Sequence, residues 1–125
     1  MKFSRLFSRS LAEQGERLAA KHLKRHGYKI LARNLWLGTN EIDVVAQCED
    51  TVAFVEVKTR RSDAVEDPAA NVDHAKQRAI SKAARMYIAQ RDDPTLYYRF
   101  DIVAVVLPEG GVPTITWYKD AFRVG

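Results

Sequence analysis

The stretch FVEVK at residues 54–58 alternates apolar and polar side chains, and EID at residues 41–43 does the same. Alternation with a period of two is typical of a half-buried β-strand, so both stretches are predicted to lie in strands. The polar segment 47–51 between them is short enough to be a hairpin turn. If its residues 49 and 50 form a two-residue loop, Asp43 faces Glu56 across an antiparallel pair, and the next pair on that face is Glu41 with Lys58.

Two facing carboxylates indicate a bound cation. Directly opposed side chains in an antiparallel pair have Cβ atoms about 4.5–5.5 Å apart, where like charges repel each other. A divalent metal relieves that repulsion, and Mg²⁺ or Mn²⁺ is predicted, with Asp43, Glu56 and the backbone carbonyl of Val57 as ligands. Lys58 leaves its strand on the same face as Glu56, so it would orient the attacking water or neutralise charge in a phosphodiester cleavage. The alternative is an exposed strand face that carries a surface Glu–Lys pair.

Length and composition limit the class of protein. The 125 residues predict one nuclease-like domain over 1–125, in which residues 1–9 either extend the first helix or form a loose basic arm. No apolar run approaches the ~20 residues that a membrane span requires, so no membrane association is expected. The single cysteine, Cys48, rules out an intrachain disulfide and suits a cytoplasmic protein.

Charge is distributed unevenly along the chain. Residues 1–33 hold nine Lys or Arg and two acids, a balance of +7, whereas the other 92 residues hold eleven basic and fourteen acidic residues, a balance of −3. A basic segment beside an acidic cluster favours nucleic acid as the partner, with DNA preferred. A solvated helix face would show the same asymmetry. The predicted phosphate contacts are Lys21, Lys24, Arg25, Arg60, Arg78, Lys82 and Arg85.

The order of elements predicts an α/β fold with a mixed sheet flanked by helices. Helices are expected at about 8–26 and 72–90, the second with Asn71 or Asp73 as its N-cap. Strands are expected at 28–37, 40–48, 51–59, 97–107 and 114–119, with a polar loop at 60–70. The order is therefore α-β-β-β-α-β-β. The unit from 51 to 107 implies a right-handed parallel crossover if its two strands are neighbours.

Three further polar features have competing interpretations. Glu16 lies along the apolar stripe of the first helix, so it either approaches the metal from the helix side or is a boundary residue paired with a lysine. His22 and His26 have the spacing of a zinc pair but lack accompanying ligands, so zinc is not favoured. Asp101 interrupts an apolar strand, and a buried ion pair with Arg99 or another arginine is preferred to a catalytic role.

Several motifs together resemble a known family. They are GE at 15–16 followed by Ala19, RN at 33–34, EID at 41–43, FVEVKTR at 54–60 and RFD at 99–101. Over residues 12–118 the chain resembles the YraN-like family of small bacterial proteins. That family is regarded as distantly similar to archaeal Holliday-junction resolvases, within the PD-(D/E)XK superfamily of restriction-endonuclease-like folds.

The resemblance implies a role for each matching residue. It implies Asp43 as the motif aspartate, Glu56 and Lys58 as the E-x-K pair, and Glu16 as the acid of the first helix. It also implies a central mixed sheet with flanking helices. This chain has Asn40 where the family usually has glycine, and it lacks the usual glycine in the loop at 65–68.

The residues and the resemblance together predict a Mg²⁺- or Mn²⁺-dependent endonuclease. One alternative is a module that binds nucleic acid on the same fold without cleaving it, and another is an assembly domain for a protein partner. Cutting two strands would favour a symmetric homodimer. Linear duplex, flap, branched junction and RNA are all compatible with the sequence.

Overall fold

A computed structural model describes residues 2–62 and 72–123, which form two helices and five strands. The elements are α1 (Lys2–Arg25), β1 (Lys29–Leu37), β2 (Asn40–Cys48), β3 (Thr51–Arg61), α2 (His74–Arg91), β4 (Tyr97–Leu107) and β5 (Thr114–Tyr118). This is the α-β-β-β-α-β-β order that the sequence predicts. The α/β class is confirmed.

The five strands form one mixed sheet in the order β1-β2-β3-β4-β5. Neighbouring strands are antiparallel except for β3 and β4, which run parallel from the pair Thr51–Tyr97 to the pair Arg61–Leu107. Since a parallel pair needs a crossover connection, α2 lies between them in the chain, as predicted.

One helix packs on each face of the sheet. Ala19 and Leu23 of α1 join one buried cluster, and Ala83 and Ala84 of α2 join the other. We call these two sides of the sheet the α1 face and the α2 face. Because side chains alternate along a strand, residues 53, 55 and 57 of β3 point to the α1 face, and residues 52, 54, 56 and 58 point to the α2 face.

Element boundaries differ from the predictions by a few residues. The first helix begins at Lys2 rather than near Ser8, and β3 continues to Arg61 rather than ending at 59. Asp73 is the N-cap of α2, since its side chain accepts a hydrogen bond from the amide of Lys76 at 2.8 Å. The alternative cap and most of the predicted 60–70 loop lie outside the described residues. No helix in the described ranges is long and apolar enough to cross a bilayer.

A glycine sets how closely α1 approaches the sheet. Gly15 is buried against Thr59 of β3, and a β-carbon there would collide with the threonine hydroxyl and lie 2.8 Å from its Cβ. Only a residue without a side chain allows this contact without displacing the helix. The approach places the next residue, Glu16, beside the sheet.

Asp101 forms a buried polar network with the residues around it. It accepts hydrogen bonds from Nε and Nη2 of Arg99, both at 2.8 Å, from Nε1 of Trp117 at 2.9 Å and from the amide of Asp120 at 2.9 Å. The predicted ion pair with Arg99 is confirmed. Asp101 pairs with Val55, on the α1 face, so it serves packing on the side of the sheet away from Glu56.

Candidate metal and nucleic-acid site

The predicted hairpin register is confirmed, but the pairing ends earlier than expected. β2 and β3 pair from Cys48–Thr51 to Val44–Val55. Beyond that point β2 continues along β1 as far as Asn40, and β3 continues along β4. The two strands therefore separate, and we call the space between residues 40–43 and 56–61 the gap.

The prediction that Asp43 faces Glu56 and Glu41 faces Lys58 within the strand ladder is wrong, because the strands have separated at these positions. Neither Asp43–Glu56 nor Glu41–Lys58 belongs to the ladder of paired residues. Instead the carboxylate of Asp43, which is buried, accepts a hydrogen bond from the amide of Val57 at 2.9 Å. A side chain thus takes the place of the neighbouring strand, and it satisfies an amide that the ladder no longer pairs.

Glu56 is a buried carboxylate whose hydrogen-bonding capacity is only partly used. Only 6% of it is exposed; its Oε1 lies 3.8 Å from Nζ of Lys58 and 3.6 Å from Nζ of Lys76. Its Oε2 is buried and has no hydrogen-bond partner among residues 2–62 and 72–123. Burial, and then the charge of Asp43, raise the pKa of Glu56 to about 7, although both lysines oppose the shift.

Lys76 was missed by the sequence analysis. The stripe of Arg78, Lys82 and Arg85 drew attention to the outer side of α2, whereas the first turn of that helix carries the lysine that meets Glu56. The geometry of the crossover connection could have pointed to Lys76. A helix that follows a parallel strand begins near the carboxyl end of that strand, so its first turn was the place to look for a partner.

Glu16 reaches the gap from α1. It is half-buried, and the side-chain amide of Asn34, assigned with its nitrogen toward Glu16, donates to the two carboxylate oxygens at 3.0 and 3.1 Å. Burial raises the pKa of Glu16, and the charges of Asp43 and Glu41 raise it further. Glu16 therefore lies at the gap on the α1 side, and its approach to a metal from that side stays a prediction.

Glu41 is a fourth acid at the gap, and the sequence analysis did not assign it a role. Burial raises its pKa, and the neighbouring carboxylate of Asp43 raises it again, while the charge of Lys76 opposes the shift. Glu16, Glu41, Asp43 and Glu56 are therefore linked by mutual repulsion. Such a group of acids attracts a cation.

The gap offers hard oxygen ligands to a metal. Within residues 2–62 and 72–123, no three His, Cys, Asp or Glu side chains converge closely enough to form a complete ligand set. Mg²⁺ does not require one, because it keeps several waters and is commonly bound through one or two carboxylates plus phosphate oxygens. The unpartnered oxygen of Glu56 beside Asp43 fits that mode of binding.

The predicted phosphate contacts divide into separate groups. Lys21, Lys24 and Arg25 are exposed on α1, and Arg78, Lys82 and Arg85 are exposed on α2, on the opposite side of the sheet. Arg60 is half-buried on β3, two residues beyond Lys58. The structure therefore does not bring the two helical groups onto one surface.

Cys48 and His26 have structural partners. Cys48 is half-buried and packs against the α1-face core. Nδ1 of His26 lies 2.8 Å from the carbonyl oxygen of His22, within hydrogen-bond distance at the end of α1.

Comparison with known proteins assigns the family. Residues 15–105 match the uncharacterised protein family UPF0102. The chain belongs to this family. The YraN-like kinship indicated by the motifs is confirmed, and the UPF0102 match includes each acid and lysine placed at the gap.

Members of UPF0102 from distant bacteria align over nearly their whole length. A UPF0102 protein of Geotalea uraniireducens is 43% identical over 120 residues, covering 94% of this chain and 92% of the relative. One of Chlorobaculum tepidum is 42% identical over 120 residues, covering 92% and 93%. One of Nocardia farcinica is 39% identical over 113 residues, covering 90% and 89%.

Proposed function

We propose that this UPF0102 protein is a Mg²⁺- or Mn²⁺-dependent endonuclease of the PD-(D/E)XK type, which acts in the cytoplasm with DNA as its favoured substrate. The observation that supports the proposal is Oε2 of Glu56, which is buried beside Asp43 and has no hydrogen-bond partner in the part of the chain that the structure describes. A buried carboxylate oxygen is costly unless it meets a donor or a cation. A divalent ion in the gap would supply the missing partner.

Asp43 and Glu56 would hold the metal, with the backbone carbonyl of Val57 as a third ligand. The amide of Val57 fixes Asp43 in place, so one ligand is oriented before the ion arrives. When bound, a metal of this kind polarises a phosphoryl oxygen and lowers the pKa of a coordinated water. Oxygen donors are what Mg²⁺ and Mn²⁺ prefer.

Two lysines flank the same carboxylate and would act on the phosphate. Nζ of Lys58 lies 3.8 Å from Glu56, and it would orient the attacking water or offset the negative charge that develops on the phosphate. Lys76 reaches Glu56 from α2 and adds a second positive charge. Glu16, on the α1 side, adds negative charge that favours the cation.

The exposed basic residues of α1 and α2 would hold the rest of the nucleic acid. Because the two groups lie on opposite sides of the sheet, a single straight helix of DNA cannot lie flat against both. Neutralising each phosphate contributes about −0.9 to the slope of log affinity against log salt concentration for duplex DNA. Binding should therefore weaken steeply with salt.

The test is cleavage of a labelled panel: single strand, duplex, flap, four-way junction and RNA hairpin, each with Mg²⁺, Mn²⁺ or EDTA. Wild type is compared with Glu56→Gln and with Glu109→Gln, the same change at a carboxylate that is 93% exposed. The proposal expects metal-dependent cutting that Glu56→Gln abolishes and Glu109→Gln retains.

Other results would replace the proposal. Salt-sensitive binding without cutting, unchanged by Glu56→Gln, would indicate a non-catalytic nucleic-acid-binding module. Neither cutting nor binding would favour an assembly domain with a protein partner. Sedimentation of the active species would test the predicted homodimer.

A further inference from the structure

Trp36 is a large apolar side chain left in solvent close to the proposed site. It lies on β1, an edge strand, and 61% of it is exposed. Its partner across the strand pair is Glu41, whose carboxylate interacts electrostatically with Asp43. The indole is therefore one strand away from the acids of the gap.

Pairing places Trp36 on the α1 face. Leu35 and Ile42 are partners, and both pack in the α2-face cluster. The next pair along, Trp36 with Glu41, must point to the opposite side of the sheet. That is the side from which Glu16 approaches the gap.

Arg33 shares that side because β1 is irregular at Asn34. Asn34 has a φ of 51°, and both Ala32 and Leu35 pack against the α2-face cluster, so the strict alternation is interrupted between them. Arg33 pairs with Val44, which is buried on the α1 face. The arginine and the indole thus lie on the same side of β1.

Positive charge continues from this strand onto α1. A cleft of about 560 Å³ lies between them, and the exposed Arg17 and Arg33 line it together with two acids and two amides, Glu13, Glu16, Gln14 and Asn34. An exposed aromatic ring and cations on the same side of a sheet are the two components with which proteins bind unpaired nucleic acid: the cations contact the backbone and the ring stacks on a base.

We propose that an unpaired base stacks on Trp36 while Arg17 and Arg33 contact the phosphates next to it. This inference rests on the proposed nuclease and specifies its substrate class: nucleic acid with a single-stranded segment at the bond that is cut. In a continuous duplex the bases stack on one another and offer no free face to an indole, so a fully paired substrate gains nothing from Trp36.

Binding in EDTA, where the proposed nuclease cannot cut, tests the inference. The probes are a fluorescent 12-nucleotide oligo(dT) and a duplex of equal length. Trp36→Ala should weaken oligo(dT) binding about five- to hundredfold, leave duplex affinity within about twofold and keep the salt slope unchanged. Trp36→Phe should retain most of the affinity.

The binding assay has a matched control variant, Tyr97→Ala, and a direct signal, tryptophan fluorescence. Tyr97 is 68% exposed at the opposite end of the sheet, paired with Thr51, and Tyr97→Ala should leave both affinities unchanged. Oligo(dT) should quench the tryptophan fluorescence of the wild type. The quench should disappear in Trp36→Phe, which keeps Trp117.

Four results would overturn the inference. Equal losses on single strand and duplex would make Trp36 a general contact, and no loss would remove it from the interface. Weaker self-association of Trp36→Ala in sedimentation, with oligo(dT) binding intact, would assign the indole to a contact between copies. If the wild type cuts duplex as fast as single strand in Mn²⁺, this inference fails while the nuclease stands; if it cuts nothing, the nuclease fails first.

Discussion

Replacing Glu56 with glutamine is expected to stabilise the metal-free fold at pH 8 and to leave it nearly unchanged at pH 4.5. The native carboxylate is buried beside Asp43, and its pKa is about 7 instead of the ordinary 4.5. Ionising this carboxyl group therefore costs more free energy in the folded protein than in the unfolded chain. Glutamine has nearly the same shape and carries no charge.

The pKa shift sets the size of the effect. Raising the pKa from 4.5 to about 7, at about 1.36 kcal/mol per pKa unit, sets an upper bound of roughly 3 kcal/mol on the effect. The sign follows from a raised carboxyl pKa: the penalty is absent below pH 4.5, grows as pH rises from 4.5 to 7, and is complete above 7. That pKa already includes the attraction of Lys58 and Lys76, so a gain of roughly 2–3 kcal/mol at pH 8 is expected.

Urea unfolding in EDTA at pH 4.5, 6, 7 and 8 measures this difference. At ~2.1 cal/mol/K per residue, a gain of that size raises the melting temperature at pH 8 by roughly 8–12 °C. Glu109→Gln is the control, since an exposed carboxylate should change the free energy of unfolding by less than about 0.5 kcal/mol at each pH.

A variant that is less stable than the wild type at pH 8 would refute the reasoning. So would a difference that stays constant from pH 4.5 to 8, because a constant difference has no origin in ionisation. Either result would mean that Glu56 is solvated or paired in solution, and the buried oxygen would lose its significance for metal binding.

Three further substitutions have expected effects on stability. Gly15→Ala should lower the free energy of unfolding by about 1–3 kcal/mol because the new methyl collides with Thr59, although alanine favours a helix elsewhere; denaturant titration measures it. Asp101→Asn should lower it by about 3 kcal/mol, by the same method, because the half-buried guanidinium of Arg99 loses its bidentate partner, a fully buried carboxylate. Lys76→Met should lower it by about 1 kcal/mol at pH 8 and not at pH 5, where Glu56 is mostly protonated, as a pH series of melting curves would show.

Each of these substitutions has its own control. Shortening Thr59 to alanine in the Gly15→Ala protein removes the hydroxyl and the methyl, so part of the loss should return; no recovery would place the strain elsewhere. Asp101→Asn should leave metal affinity intact, and a loss there would give that residue a role at the site. Lys82→Met removes the same charge from the exposed side of α2, and equal effects of the two lysine variants would contradict a specific Glu56–Lys76 pair.

The register and the element order were predictable because they depend on local patterns. Alternation along FVEVK and EID sets which residues share a face, and the short polar turn sets the pairing from Val44–Val55 to Cys48–Thr51. The stripe in α1 placed Glu16 near the sheet, and the lone acid after Arg99 predicted the buried ion pair.

The features that could not be predicted from the sequence depend on tertiary geometry. The separation of β2 and β3 depends on which neighbour each strand follows, and no local pattern records that choice. Lys76 and Trp36 acquire their positions from the crossover and from the irregularity at Asn34. Predicting either position requires knowing where β1 and α2 lie in the fold, and hydrophobic periodicity alone does not give that information.

Direct titration with Mn²⁺, followed by the electron paramagnetic resonance signal of the free ion, tests the central claim that Asp43 and Glu56 hold a divalent cation in the gap. Wild type at pH 8 should bind Mn²⁺ and lose affinity up to about tenfold per pH unit below 7, as Glu56 takes up a proton. Glu56→Gln and Asp43→Asn should lose that binding, and Glu109→Gln should keep it. Binding that survives both site substitutions, or a wild type that binds no ion, would contradict the account.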